Sequence, residues 1–171
     1  MIDDSLTDVV ARGFDAGIRS GALVHQDMIA LRLTPDLRMA VVASPDYFSR
    51  RPPPRTPRDL HDHVGVTYRW SETGALYRWV FEGPDGPIEM DIKNRITVNE
   101  TDLILAAALE GVGVAFLPES FIAPWLQTGE LVRVLEDWCK PFPGFHLYYP
   151  SRRQMPEALR AFIDFVRKAE P

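Results

Sequence analysis

The sequence holds a single cysteine, Cys139, followed by Lys140 and Pro141. Without a second thiol an internal disulfide is excluded, and without a C-x-x-C companion so is a zinc site ligated through several sulfurs. Such cysteine usage fits a reducing compartment and predicts a cytoplasmic protein. Basic charge is also scarce: 19 Lys and Arg face 24 Asp and Glu, a formal charge of −5. Neutralising phosphates requires a concentrated excess of Lys and Arg, so this segment is not expected to contact nucleic acid directly. Long apolar runs are missing as well. The run from Leu103 to Leu109 is the longest and falls far short of the roughly 20 residues that a bilayer core demands. The opening stretch MIDDSLTDVVARGFDAGIRS has neither the basic n-region nor the unbroken apolar h-region of a secretory signal. Neither a membrane partner nor export is expected.

Catalytic constellations are absent too. The four histidines, His25, His61, His63 and His146, form no H-E-x-x-H or comparable zinc spacing. His61 and His63 flank a helix end and read as ordinary surface or capping residues. There is no G-x-S-x-G elbow, P-loop or G-x-G-x-x-G fingerprint. Gly111-Val112-Gly113 lacks the third glycine and reads as a helix C-cap followed by close packing of the next strand. The acidic pairs Asp3-Asp4 and Glu136-Asp137 are neighbours in sequence, not an opposed acid and base, and Arg152-Arg153 reads as a solvated doublet. No metal, cofactor or enzymatic activity is predicted.

What is present suits an ordinary globular core: 46% of the residues are hydrophobic and 25% charged. Asp4 or Ser5 starts a short helix to about Arg12. Strands are expected at 14–19, 29–33, 37–43, 64–68, 95–98, 114–117, 131–135 and 145–149. A further pair, 79–82 and 88–92, reads as a hairpin around Gly83-Pro84-Asp85-Gly86, with a loop of four or five residues. Ser44-Pro45 and Thr56-Pro57 each place a cap before a proline at the first helical position. Asn99 is read as the cap of a helix that Gly111 closes, with Asp102 in a variant of the capping box. That helix, 101–110, is apolar around most of its circumference and should be buried on two sides, in the core or at a subunit interface. Pro118 opens another helix that Gly129 ends. A last helix from Pro156 carries Leu159, Phe162, Ile163 and Val166 at helical spacing. Strands alternating with helices predict an α/β fold with largely parallel sheets covered on both faces.

Two positions have the geometry of a ligand site. Ser44 and Asn99-Glu100-Thr101 each follow the end of a strand and open a helix, where free N–H groups and the positive helix end accept an anion such as a small carboxylate. Taken alone, both are read first as plain N-caps, and the charge of Glu100 itself works against an anion. The segment Tyr68-Arg69-Trp70-Ser71-Glu72-Thr73-Gly74 combines aromatic, cationic and hydroxyl groups directly after a strand, which suits a small polar guest or a merely structural loop.

Several phrases, in order, resemble the effector-binding domain of LysR-type bacterial transcriptional regulators. Phe14-Asp15-Ala16-Gly17-Ile18-Arg19-Ser20-Gly21 is similar to its strand ending in an Ile-Arg-x-Gly turn, Val42-Ala43-Ser44-Pro45-Asp46-Tyr47-Phe48 to its VASPxYL segment, and Pro57-Arg58-Asp59-Leu60-His61-Asp62-His63 to its P-x-D-L-x-x-H helix. Asn99-Glu100 through Ala106-Ala107, Gly111 through Pro118, and Tyr149-Pro150-Ser151-Arg152-Arg153 continue the likeness along the chain.

The resemblance implies two Rossmann-like subdomains of the type II periplasmic-binding-protein plan, 1–66 with 145–171 and 67–144, holding a small effector between them. It implies a homo-oligomeric regulator that meets DNA only through a winged helix-turn-helix domain absent from this sequence. The sensor's first strand, first helix and second strand are also expected to be missing, which would leave the first subdomain incomplete. On this reading Arg19 and Arg69 pair with a carboxylate or aromatic acid, Ser44 and Thr101 supply donors, and Tyr68 forms an apolar wall beside Asn99 and Glu100. The alternative is a solute-binding protein of the same fold, which predicts the export signal that is not seen.

Overall fold

The computed structural model describes residues 13–20, 28–71, 73–150 and 155–169. The helix expected before Arg12 and the doublet Arg152-Arg153 lie outside them. In chain order the strands are β1 (Gly17–Ser20), β2 (Met28–Arg32), β3 (Met39–Ala43), β4 (Val64–Tyr68), β5 (Trp79–Gly83), β6 (Gly86–Met90), β7 (Lys93–Val98), β8 (Val114–Pro118), β9 (Val132–Val134) and β10 (Phe145–Pro150). The helices are α1 (Pro45–Arg50), α2 (Thr101–Leu109), α3 (Glu119–Thr128) and α4 (Glu157–Ala169), with 3-10 turns at Pro57–Asp62 and Glu136–Trp138.

The chain divides into two units, passing between them after Leu37 and again before Phe142. The first unit holds a three-stranded sheet in the order β1-β10-β2, with β10 antiparallel to both neighbours. Leu147, Tyr149 and Ile163 form its buried centre, with Leu31, Leu33, Met155 and Leu159 packed around them. The stripe expected on α4 is narrower than its spacing suggested: Ile163 is buried, whereas Phe162 is 44% exposed and its neighbour Phe165 is 68% exposed. Gly144 sits where an added Cβ would lie 2.0 Å from the Pro35 carbonyl oxygen, so only glycine allows the two backbones to approach so closely.

The second unit, Arg38–Pro141, contains a five-stranded sheet in the order β7-β4-β8-β3-β9 and the β5-β6 hairpin. Every residue from Ala40 to Ala43 is fully buried, and successive residues point to opposite faces. Val41 and Ala43 join Tyr47, Leu60, Trp79, Phe81 and Phe116 on one side. Ala40 and Val42 join Val66, Ile104, Leu105, Leu117 and Ile122 on the other. Both faces are therefore covered, as the continuous apolar run MAVVA required. The helix α2 turns Ile104, Leu105 and Ala108 inward and leaves Leu103 53% exposed.

Three expectations about the architecture need correction. Residues 38–66 belong to the second unit, because β3 and β4 are both strands of its sheet. The sheets are mixed: β4 runs parallel to β7 and β8, β3 runs antiparallel to β8 and β9, and the three-stranded sheet is antiparallel throughout. Alternation of helix and strand specifies direction only for neighbours joined by a crossover helix, and β3 and β10 find their partners far away in sequence. The hairpin is also tighter than expected. Gly83 pairs with Gly86, leaving Pro84-Asp85 as the turn, and the φ of +120° at Gly86 is one that glycine reaches freely.

Candidate functional site

Because β4 and β7 are parallel, their carboxyl ends lie side by side, with Tyr68 opposite Val98. The Arg69 N–H donates to the Val98 carbonyl at 2.8 Å, and the chain then doubles back. Trp70 N–H donates to Ala75 O at 2.9 Å, Gly74 N–H to Trp70 O at 2.8 Å and Tyr77 N–H to Tyr68 O at 2.8 Å. The exposed Arg69 side chain donates through Nη1 to Gly74 O, fastening this turn; that bond uses one of the five N–H donors of the guanidinium. The Trp70 ring meets Tyr68 edge-on at 5.0 Å between centroids and Tyr77 at 6.1 Å. Burial pushes the Tyr77 hydroxyl pKa up, so this hydroxyl stays neutral.

At the end of β7, Asn99 does not cap α2 as expected. Its Nδ2 donates to Ser71 Oγ at 3.2 Å, tying the two loops together, and the N-cap position falls to Glu100, whose side chain makes no capping bond. A cap needs extended backbone one residue before the helix and a side chain folded back on its first turn. Glu100 has that backbone, at φ −134° and ψ 129°, but its exposed carboxylate does not fold back. Thr101 is the first helical residue. Among the described residues the opening N–H groups of α2 therefore have no side-chain acceptor, and they sit at the positive end of the helix dipole, which favours an anion.

Ser44 lies elsewhere. It is buried and caps α1, accepting from Tyr47 N–H at 3.3 Å, and its own N–H donates to Ala108 O at 3.3 Å in the last turn of α2. Because β3 runs against β8, and β8 runs with β4, the carboxyl end of β3 meets the amino ends of β4, β7 and β8. Ser44 is thus placed at the opposite end of the sheet from Thr101, and its hydroxyl is occupied. Arg19 belongs to the first unit, half-buried in β1 and opposite His146 of β10. The structure brings together Tyr68, Arg69, Asn99, Glu100 and Thr101, and it separates Ser44 from them.

Of the two roles expected for His63, surface or capping, it takes the second: it is the C-cap of the 3-10 turn, its N–H donating to Leu60 O at 3.1 Å, and it is only 4% exposed, with Nδ1 3.2 Å from the Tyr47 hydroxyl. Tyr77 was not foreseen at the site. It returns beside Tyr68 only because the turn after β4 is closed by the bridge between Arg69 and Leu76, which no turn motif in the sequence announces.

Chemically, the carboxyl-end cluster offers a guanidinium, a hydroxyl, uncapped amides and an aromatic wall. These are groups that bind; none forms a nucleophile and base pair. Among the described residues, no group of His, Cys, Asp or Glu is placed to hold a metal ion, and no helix is long and apolar enough to cross a membrane.

Residues 2–171 match the LysR substrate binding domain. The chain belongs to this family. It is 40% identical over 166 residues to the HTH-type transcriptional regulator PgrR of Escherichia coli, covering 97% of this chain and 56% of that protein. It is 31% identical over 170 residues to PtxR of Pseudomonas aeruginosa, covering 98% and 53%. Among solved structures, the regulatory domain of AphB from Vibrio vulnificus superposes with a TM-score of 0.79 at 27% identity, covering 97% of this chain and 79% of that one. CrgA, a LysR-type regulator from Neisseria meningitidis, superposes with a TM-score of 0.70 at 25% identity, covering 94% and 53%. The LysR domain thus has the type II periplasmic-binding-protein fold of these regulatory domains. Its relatives are transcriptional regulators, not enzymes. The LysR chain spans about half the length of the curated relatives it matches.

Proposed function

We propose that this LysR substrate-binding domain senses a small carboxylate or aromatic acid at the carboxyl ends of β4 and β7. The observation that supports this reading is the uncapped start of α2 beside Arg69 and the Tyr68–Trp70 pair. Arg69 pairs with the carboxylate, Thr101 and the first amides of α2 supply donors, and Tyr68 with Trp70 provides the apolar wall. Asn99 holds the two loops in register. Glu100 already complements the helix end, so the site suits one negative charge better than two. Arg19 is retained as a candidate partner through the family resemblance alone.

In the whole protein the domain serves a cytoplasmic homo-oligomeric transcriptional regulator that contacts DNA through a separate domain. The effector shifts that regulator between states only to the extent that it binds them with different affinities. Thermal unfolding against benzoate, acetate and succinate tests the reading. A ligand at a hundredfold excess over its dissociation constant adds about 2.7 kcal/mol to stability, so a saturable rise in midpoint is expected, and it should vanish in Arg69→Ala. An Arg69→Ala variant that binds with unchanged affinity removes this residue from the site.

A further inference from the structure

The other end of the same sheet contains a cavity of about 470 Å³, lined by Tyr47, Arg50, Arg51, Arg95, Glu110 and Gly111 among others. That size falls within the roughly 300–1,000 Å³ of small-molecule sites. All of the lining belongs to the second unit. The cavity meets α2 at its last turn, whereas Arg69 and Thr101 stand at the first, about 13 Å away along the helix at 1.5 Å per residue.

Two of its guanidiniums are already engaged. Arg50 donates to Asp46 Oδ2 at 2.6 Å and to Gly111 O at 3.2 Å. Arg51 donates through Nη1 to Asp62 O at 3.1 Å and lies 6.0 Å from the centre of the Tyr47 ring. Arg95 and Glu110 differ. Both are exposed and line this one cavity, yet neither side chain makes a hydrogen bond or ion pair among the described residues, with each other or with any third group.

Opposite charges that share a cavity without pairing select a guest that answers both. A simple anion answers the guanidiniums but leaves Glu110 and the carbonyl end of α2 without a partner, and a simple cation meets three guanidiniums. A molecule carrying both signs uses both walls. Its carboxylate pairs with Arg95 and the spare donors of Arg51, and its ammonium pairs with Glu110 at the helix end that favours positive charge. We propose that this cavity is a second ligand site of the domain, one that takes a small zwitterion of the α-amino acid class. The proposal does not depend on the carboxyl-end site.

The test is calorimetric titration of the intact chain with the twenty L-amino acids, with acetate, methylamine and inorganic phosphate as controls of a single sign. At least one amino acid should bind saturably, about tenfold or more tightly than any control. Arg95→Gln and Glu110→Gln should each weaken it about tenfold or more, the loss expected for one charge-assisted bond, while Arg69→Ala leaves it unchanged. Both substituted side chains are exposed and unpaired, so the variants should unfold at the parental temperature. The proposal is overturned if no amino acid saturates or if a control binds as tightly. It is equally overturned if the two Gln variants bind normally, or if Arg69→Ala alone abolishes binding and so places the ligand at the carboxyl end.

Discussion

The two ends of the five-stranded sheet are finished differently. At the amino ends of β4 and β8 the protein completes itself: Ser44 caps α1, Arg50 holds Asp46 and the Gly111 carbonyl, and the Tyr47 hydroxyl joins His63 to Val64 N–H. Gly113 is pressed so closely against β4 that an added Cβ would lie 2.5 Å from Val64 O. At the carboxyl ends the turn after β4 is closed by backbone bonds, the side-chain bonds are those of Arg69 to Gly74 and Asn99 to Ser71, and the N-cap residue of α2 makes no side-chain capping bond. One end is tightly satisfied apart from Arg95 and Glu110 at its cavity; the other keeps donors in reserve along its whole mouth. Both proposed sites rest on such unspent polar groups and not on the general rule that strand ends carry sites.

The largest perturbation should erase the contrast by removing what lies beneath both ends. Trp79 is 2% exposed and stacks on Phe116 of β8 at 5.2 Å between centroids. Trp79→Ala should cost about 3–5 kcal/mol, read as a lower urea midpoint, with ligand binding at the carboxyl end lost in the same transition. Binding that outlasts the drop in tryptophan-independent signals such as circular dichroism would mean that the two ends fold separately.

A smaller change should injure the amino end alone. Gly113→Ala drives a methyl into the backbone of β4, and overpacking of this kind costs about 1–3 kcal/mol. The folded fraction should still bind at the carboxyl end with parental affinity. Ser44→Ala is milder again, at about 1 kcal/mol for a lost N-cap. It should lower the melting midpoint and leave effector affinity untouched; a loss of affinity with little loss of stability would return Ser44 to the site.

That Ser44 needed such a test shows where sequence reasoning stops. Local chemistry was legible: Ser44 does cap α1, Thr56 does stand at the cap of the following 3-10 turn with Pro57 after it, and Gly111 and Gly129 do end their helices with positive φ. Each of these depends on neighbours a few residues away. The strand expected at 37–43 is also there, as β3. The direction of β3 in its sheet was not legible, because it is decided by pairing with β8 and β9, more than seventy residues along the chain. Ser44-Pro45 and Asn99 through Thr101 look alike as strand-to-helix junctions, yet the reversal of one strand sends them to opposite ends. The same non-local pairing moved residues 38–66 into the second unit. Tyr68, Arg69 and Thr101 were read as two separate motifs and grouped, with Ser44 and Arg19, only through the family reading; the parallel pairing of β4 and β7 is what aligns the residues that follow each strand.

The smallest expected effect concerns the buried His63, and it distinguishes the ends by pH. The Tyr47 hydroxyl accepts from Val64 N–H at 3.2 Å, so its own proton is free to go to His63 Nδ1, also at 3.2 Å, provided that nitrogen is unprotonated. Burial, reinforced by Arg51, lowers the His63 pKa against the opposing pull of Asp62 and Asp59. The folded protein therefore resists a proton that the unfolded chain takes up at its ordinary pKa near 6.5. The stability contributed by neutral His63 is fully present above that value and drains away as pH falls below it, towards the lower folded-state pKa. Asp59, whose pKa is lowered chiefly by the backbone N–H groups of Thr56 and Arg55, adds a loss of the same sign only below its unfolded value of 3.8. The two contributions therefore occupy separate windows. Between pH 7 and 5 the melting midpoint should fall more steeply for the parent than for His63→Gln, whose side chain keeps an acceptor but cannot titrate. Parallel slopes would mean that the packing around Tyr47 admits the imidazolium, and that the amino end of the sheet is less rigidly completed than its hydrogen bonds imply.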